Sequence, residues 1–262
     1  MKPTHLLTSC TAALAASLPN PNPEPQEHRI PTSYESAILG RRILSLTPLA
    51  VLSTIFPGNE PSATENRPPS TAGMPHGLME YIADCESSGN PTILAISIET
   101  SFKNVAAGSN VSVAVQWMPP HPPAKRIKSS SSSWKSWFSS SSDDEKVADP
   151  SSYSAANLPR FSLLGYIERI GDGKGTDEVK SCFVQTHPDA KYWLPGNRIH
   201  RSNFVRLVVT EVYWIGGFGD RAYIGWIPVE EWNKVTKEEV EAVKLPGEKK
   251  GWNEWSYQGV DL

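Results

Sequence analysis

The chain has 262 residues, 39% of them hydrophobic, enough to bury a core, and 25 Lys+Arg against 28 Asp+Glu leave a net charge of −3. That balance supplies no global basic field of the kind that draws a protein onto nucleic acid, so nucleic acid is excluded as the expected partner. Nor does any run approach the ~20 apolar residues that a membrane-spanning helix requires.

In chain order, MKPTHLLTSCTAALAASL puts Lys2 and His5 ahead of an apolar run that closes on small residues. Ala15 and Ser17 are spaced as a cleavage site prefers, so residues 1–18 are expected to be a secretory signal peptide. Proline at 19, 21, 23, 25 and 31 cannot hold a helix, which makes 19–31 a linker. A single domain over 32–240 is expected to follow, with 241–262 as a C-terminal tail.

Thr32 with Glu35 three residues later forms a capping box, and Tyr34, Ala37, Ile38 and Leu44 fall near one face of a helix of about three turns. It stops before Pro48, after which LAVLSTIF reads as a buried strand closed by Pro57-Gly58. GLMEYIADC and TILAISI flank the turn chemistry of Ser87-Ser88-Gly89-Asn90-Pro91 and predict an antiparallel hairpin. TSFKNVAAGSN then reads as a short helix or loop, and VSVAVQW as a strand with Val111, Val113 and Val115 on one face.

Residues 118–157 break the pattern with MPPHPPAKRIK, two serine runs and Asp143, Asp144 and Glu145, and read as a disordered insertion. Trp134, Trp137 and Phe138 are its unusual feature, and Lys125-Arg126-Ile127-Lys128 reads as a solvated charge run. FSLLGYIERI is the next strand, and Asp177 is expected to cap a helix carrying Val179, Cys182 and Phe183. FVRLVVTEVYWI reads as a long strand, GGFG as a tight bend and AYIGWI as a strand; Thr236 and Glu239 cap a final short helix. Strands outnumber helices, and their lengths suit a small closed barrel.

Cys10 would leave with the signal, so Cys85 and Cys182 remain to pair in an oxidising compartment or to stay as two buried thiols. Asn110-Val111-Ser112 is a glycosylation acceptor in a chain entering the secretory pathway. The six histidines show no metal-binding spacing, and neither a Gly-x-Ser-x-Gly elbow nor a P-loop is present. His200, in NRIHRSN, is the imidazole to inspect as a haem ligand.

GLMEYIADCESSGNPTILAISIETSFKNVAAGSNVSVAV, with its hairpin, Ser/Thr-Lys-Asn turn and following strand, resembles the pyridoxamine-phosphate-oxidase-like split barrels. FVQTHPDAKYWLPGNRIHRSNFVRLVVTEVYWIGGFGDRAYIGWIPVEEWNKVT is similar to the C-terminal half of the CREG family, and the GGFGDRAYI bend also resembles the haem-utilisation branch of that superfamily. The resemblance implies a mainly β protein with the FMN-binding split β-barrel fold. It places Ser97, Thr100, Ser101, Lys103 and Asn104 where flavin-binding relatives hold the phosphate of flavin mononucleotide (FMN). Hydroxyls and a lysine at a helix start are chemistry suited to a phosphate; the same residues equally cap a turn, with Lys103 solvated. Flavin-binding relatives also offer an arginine on the preceding strand, where GLMEYIADC has none and Arg67 lies upstream. CREG relatives are non-catalytic, their cleft filled by their own chain. The resemblance therefore implies a secreted homodimer that binds or signals to another protein, with an FMN-dependent oxidoreductase or a haem-binding relative as the alternative.

Overall fold

The computed structural model describes residues 29–58, 67–124, 155–171, 174–219 and 221–252. The expected signal peptide, most of the linker, the basic cluster, the serine runs and Trp134, Trp137 and Phe138 lie outside the described residues.

Helix α1 (Ser33–Leu46) opens on the expected capping box: Thr32 Oγ1 accepts from the Glu35 amide and the Glu35 carboxylate accepts from the Thr32 amide. It runs nearly four turns rather than three, because Arg41 and Arg42 extend it without breaking its buried face. Strand β1 (Leu49–Ile55) is buried on one face only, not throughout, with Ala50, Leu52 and Thr54 inside. β2 (Pro75–Ala83) pairs along all of β1, from Leu49↔Tyr81 to Ile55↔Pro75.

The hairpin between β2 and β3 (Thr92–Ile96) is antiparallel as expected, yet pairs only through Ile82↔Ile93 and Ala83↔Thr92. β3 spends the rest of its length on β6 (Ser202–Ile215), from Thr92↔Arg206 to Ile96↔Ser202. Helix α2 (Thr100–Ala106) follows β3, and β4 (Val111–Gln116) turns Val111, Val113 and Val115 inward as the alternation requires. β4 joins β1 to β5 (Arg160–Arg169), which pairs with β6. The order β3-β2-β1-β4-β5-β6 therefore closes through the β3–β6 pairing into a six-stranded antiparallel barrel, and β7 (Ile224–Ile227) extends from the second half of β6. This is the expected mainly β split barrel.

Leu52, Ile82, Ile93, Val113, Leu163, Leu207 and Val212 fill the barrel and are fully buried. α1 lies across one end with α4 (Val229–Lys234) and α5 (Lys237–Ala242), whose capping box of Thr236 and Glu239 forms as expected. Gly40 lets α1 settle on the Trp232 and Trp214 rings, which a Cβ there would meet at 2.7 and 3.3 Å. Helix α3 (Lys174–Thr186) starts earlier than expected, so Asp177 lies within its first turn instead of capping it. Its buried Val179 and Phe183 pack with Phe204 and Leu94 in a second, smaller core. Cys182 on α3 is bonded to Cys85 beyond β2, closing the alternative of two free thiols.

The two ends of the expected insertion are ordered. Trp117 Nε1 donates to the Pro246 carbonyl at 2.8 Å, His121 N to Gly247 O at 3.2 Å, and Trp252 Nε1 to the His121 carbonyl at 2.7 Å. Pro119 and Pro123 are buried there, and Ala155–Asn157 form a 3-10 turn before β5. The start of the insertion and the chain after α5 thus pack on each other, a contact between residues over a hundred positions apart that local composition does not encode. Among the described residues, no helix is long and apolar enough to cross a membrane.

Candidate functional site

The β3–α2 turn and the strands beneath it form the candidate site. Ser97 follows β3 directly, and its amide donates to the Arg201 carbonyl at 2.9 Å, so the loop carrying His200 lies beside the turn. α2 packs on β1 and β2, with Ser101, Phe102 and Asn104 on its buried face. Ser97, Thr100 and Lys103 are exposed, whereas Ser101 and Asn104 are buried. The sequence-predicted set is therefore split between two faces. Asn104 Nδ2 donates to Thr54 Oγ1 at 3.0 Å, which commits its amide to tying α2 to β1.

Two carboxylates that sequence reasoning did not single out lie in this region. Glu80 on β2 stands opposite the buried Ala50 of β1, and burial, followed by the nearby Glu99 charge, pushes its carboxyl up to about 7. Glu99 is the residue before α2; burial raises it too, against the lowering effect of the Ile96 backbone, and its Oε2 has no hydrogen-bond partner among the described residues. The signal for Glu80 was present in the period-2 pattern, since 76, 80 and 82 share the face that β1 turns inward. An acidic residue in a strand is usually read as solvent-facing, which hides it.

Arg67 does not take the place of the missing strand arginine. Its guanidinium lies 5.8 Å from the Phe56 ring centroid and donates to the Pro57 carbonyl at 3.3 Å, and the Phe56 ring meets His76 at 5.0 Å.

A bound phosphate carries close to two negative charges and needs donors aimed at it in a dry or electropositive setting. Here one inward donor is bonded to Thr54 and two half-buried carboxylates adjoin the turn, so the residues present do not fit the phosphate of a flavin. Among the described residues, no group of three or more His, Cys, Asp or Glu side chains could hold a metal ion.

Glu80 supplies a prediction. Its folded-state value lies above the ordinary 4.5, so its ionisation opposes folding increasingly as pH rises from 4.5 through about 7. Glu80→Gln should stabilise the protein at about pH 8 by roughly 1–2 kcal/mol, a figure reduced for the water that still reaches the group. Below pH 4.5 the gain should vanish. Urea midpoints of the two proteins across that range check it; a pH-independent difference contradicts it.

The sequence matches the family model described as "CREG, beta-barrel" over residues 31–234. No curated protein matches it. Among solved structures, a haem-binding protein from Mycobacterium smegmatis superposes with a TM-score of 0.48 at 18% identity, covering 78% of this chain and 60% of its own. This chain thus spans three fifths of that relative. A FAD-binding protein from Mesorhizobium loti gives 0.34 at 12% identity, covering 65% of this chain and 87% of its own. ChuZ of Campylobacter jejuni gives 0.46 at 10% identity, covering 78% and 66%. The barrel is six-stranded and closed and the family model matches more than three quarters of the sequence, so the chain belongs to the CREG β-barrel family.

Proposed function

We propose that this chain is a secreted, non-catalytic CREG-type barrel that acts as a homodimer by binding another protein. The observation that carries the reading is the pair of half-buried carboxylates, Glu80 and Glu99, beside the turn where flavin-binding relatives hold phosphate. A disulfide between Cys85 and Cys182 suits an oxidising compartment, and Asn110 is exposed at the entry to β4, open to a glycan. The outer face of β1, β2 and β4 presents Leu49, Val51, Met79, Ala114 and Met118 around an apolar hollow of about 340 Å3. Such a face supports pairing with a second copy.

The absorbance spectrum of the purified protein tests the reading. A colourless preparation that takes up neither added FMN nor haem is expected, sedimenting as a dimer. A flavin spectrum that disappears in Lys103→Ala would establish the oxidoreductase alternative instead, and a haem spectrum lost in His200→Ala the haem-binding one. A monomer at all accessible concentrations would remove the pairing.

A further inference from the structure

Between the C-terminal half of α1, the β2–β3 turn and the segment that joins α4 to α5 lies a cavity of about 1010 Å3, at the upper end of the ~300–1,000 Å3 usual for small-molecule sites. Its walls are pinned from three sides. The Cys85–Cys182 disulfide ties the turn to α3, Arg41 donates to the Ser87 and Trp232 carbonyls, and Arg42 is bidentate on Glu248 at 3.1 and 2.7 Å.

Asp84 belongs to this wall, and its side chain is only 11% exposed, yet its carboxylate accepts no hydrogen bond among the described residues. Oδ1 is shut off from solvent beside Arg41, which at 3.9 Å is too far to donate to it. Oδ2 is the oxygen left to meet a ligand. Carboxylates this enclosed are ordinarily hydrogen-bonded. Ser88, Asn233 and Lys234 line the same cavity, and among the described residues none of these side chains makes a hydrogen bond or ion pair. Leu46, Val235 and Val240 supply its apolar share.

The charges around the cavity offset one another: Arg42 pairs with Glu248, Glu86 with Arg206, and Lys237 stands 3.8 Å from Glu241. A cationic ligand at Asp84 would meet Arg41, and an anionic one would meet Asp84 itself. A neutral ligand rich in hydroxyls avoids both. The geometry points to this cavity as a binding site for a neutral saccharide, one hydroxyl donating to Asp84 Oδ2, its neighbours bonding Asn233 and Lys234, and the C–H face of the ring on Leu46 and Val240. Adjacent ring hydroxyls both donate and accept, which matches a wall where an acceptor-only carboxylate and a donor-only ammonium stand with a hydroxyl and an amide that do both. None of the lining comes from the β3–α2 turn, so the site does not depend on the fate of the flavin.

Cellobiose, maltose and N,N′-diacetylchitobiose are the probes, each titrated calorimetrically into the full chain, with cellobiouronate and deacetylated chitobiose as the anionic and cationic counterparts. At least one neutral disaccharide should bind, about tenfold or more tightly than the charged sugars. Asp84→Asn should weaken it about tenfold by removing a charged acceptor. Asn233→Ala/Lys234→Ala, two substitutions at exposed positions away from the barrel core, should weaken it to a similar degree. Raising the salt to about 0.5 M should leave the neutral sugar's affinity for the unsubstituted protein within about twofold, a readout independent of any variant's folding. No binding of the three neutral probes up to roughly 10 mM, equal or tighter binding of a charged counterpart, unchanged affinity in either variant or a steep loss of affinity with salt would each overturn the assignment.

Discussion

Gly165→Ala is expected to remove about 4 kcal/mol or more of stability, read as a large fall in the urea midpoint or as failure to fold at 37 °C. A Cβ at this position would lie 1.9 Å from the Val208 carbonyl oxygen, 2.9 Å from its carbon and 3.3 Å from Val209 Cα. All three are backbone atoms, so no side chain can swing away. The contact arises because the β5–β6 ladder carries a bulge: Leu164 pairs with Glu211 but Gly165 with Val209, and Thr210 is the extra residue. Thr210 Oγ1 donates across it to the Leu164 carbonyl at 3.3 Å. Relief would require opening the longest ladder in the barrel, the one that carries β6 from its β3-paired half to its β7-paired half. Gly171→Ala, where a Cβ meets nothing within 4 Å, is the control and should change stability by less than about 0.5 kcal/mol. A loss below about 1 kcal/mol at Gly165 would show that the bulge yields, contrary to the reading.

Arg41→Met is expected to cost about 3–5 kcal/mol near neutral pH. The Arg41 side chain is 4% exposed; it donates to the Ser87 carbonyl at 3.0 Å and the Trp232 carbonyl at 3.2 Å, and lies 5.8 Å from the Trp232 ring. Gly89, with φ +73°, packs directly on the guanidinium. Asp84 approaches it at 3.9 Å; burial pushes the Asp84 carboxyl up to about 6, and Arg41 holds that rise in check. Methionine would leave a buried carboxylate with no counter-charge and two carbonyls with no donor. The sign with pH follows. Asp84 titrates above its ordinary 3.8, so its charge opposes folding more as pH rises through about 6, and removing Arg41 enlarges that penalty. The defect should therefore be smaller at about pH 5 than at about pH 7.5, and Asp84→Asn should recover part of it in the double variant. Equal losses at both pH values, with no recovery, would show that the pair contributes packing alone.

Neither group stood out at the level of sequence, though each left a trace. Arg41 falls four residues after Ala37 and three before Leu44, on the face that buries both, and a lone arginine there reads as a side chain that reaches out to water. Its burial depends on the β2–β3 turn and α4 coming together over α1, which brings Ser87 and Trp232 from opposite ends of the chain. Gly165 sits inside a run that reads as an ordinary strand; its necessity lies in the carbonyl of a residue over forty positions away. The candidate site behaved likewise. Ser97, Thr100, Ser101, Lys103 and Asn104 are contiguous enough for a resemblance to gather them, but the partners that decide their chemistry, Thr54, Glu80 and the Arg201 carbonyl, come from three other segments.

What the amino-acid sequence determined by itself is what rests on neighbours a few residues apart: the capping boxes at Thr32 and Thr236, the inward valines of β4 and the hairpin that β2 and β3 share. These follow from hydrogen bonds closed within one turn and from the two-residue period of a strand. Tertiary structure alone decided that β3 leaves β2 after two pairs to close the ring on β6, that Cys85 meets Cys182 across 97 positions, and that an acidic pair adjoins the predicted phosphate turn. Those outcomes depend on which strand edges and surfaces the closing barrel brings within hydrogen-bonding distance, a matter of three-dimensional closure that no local pattern carries.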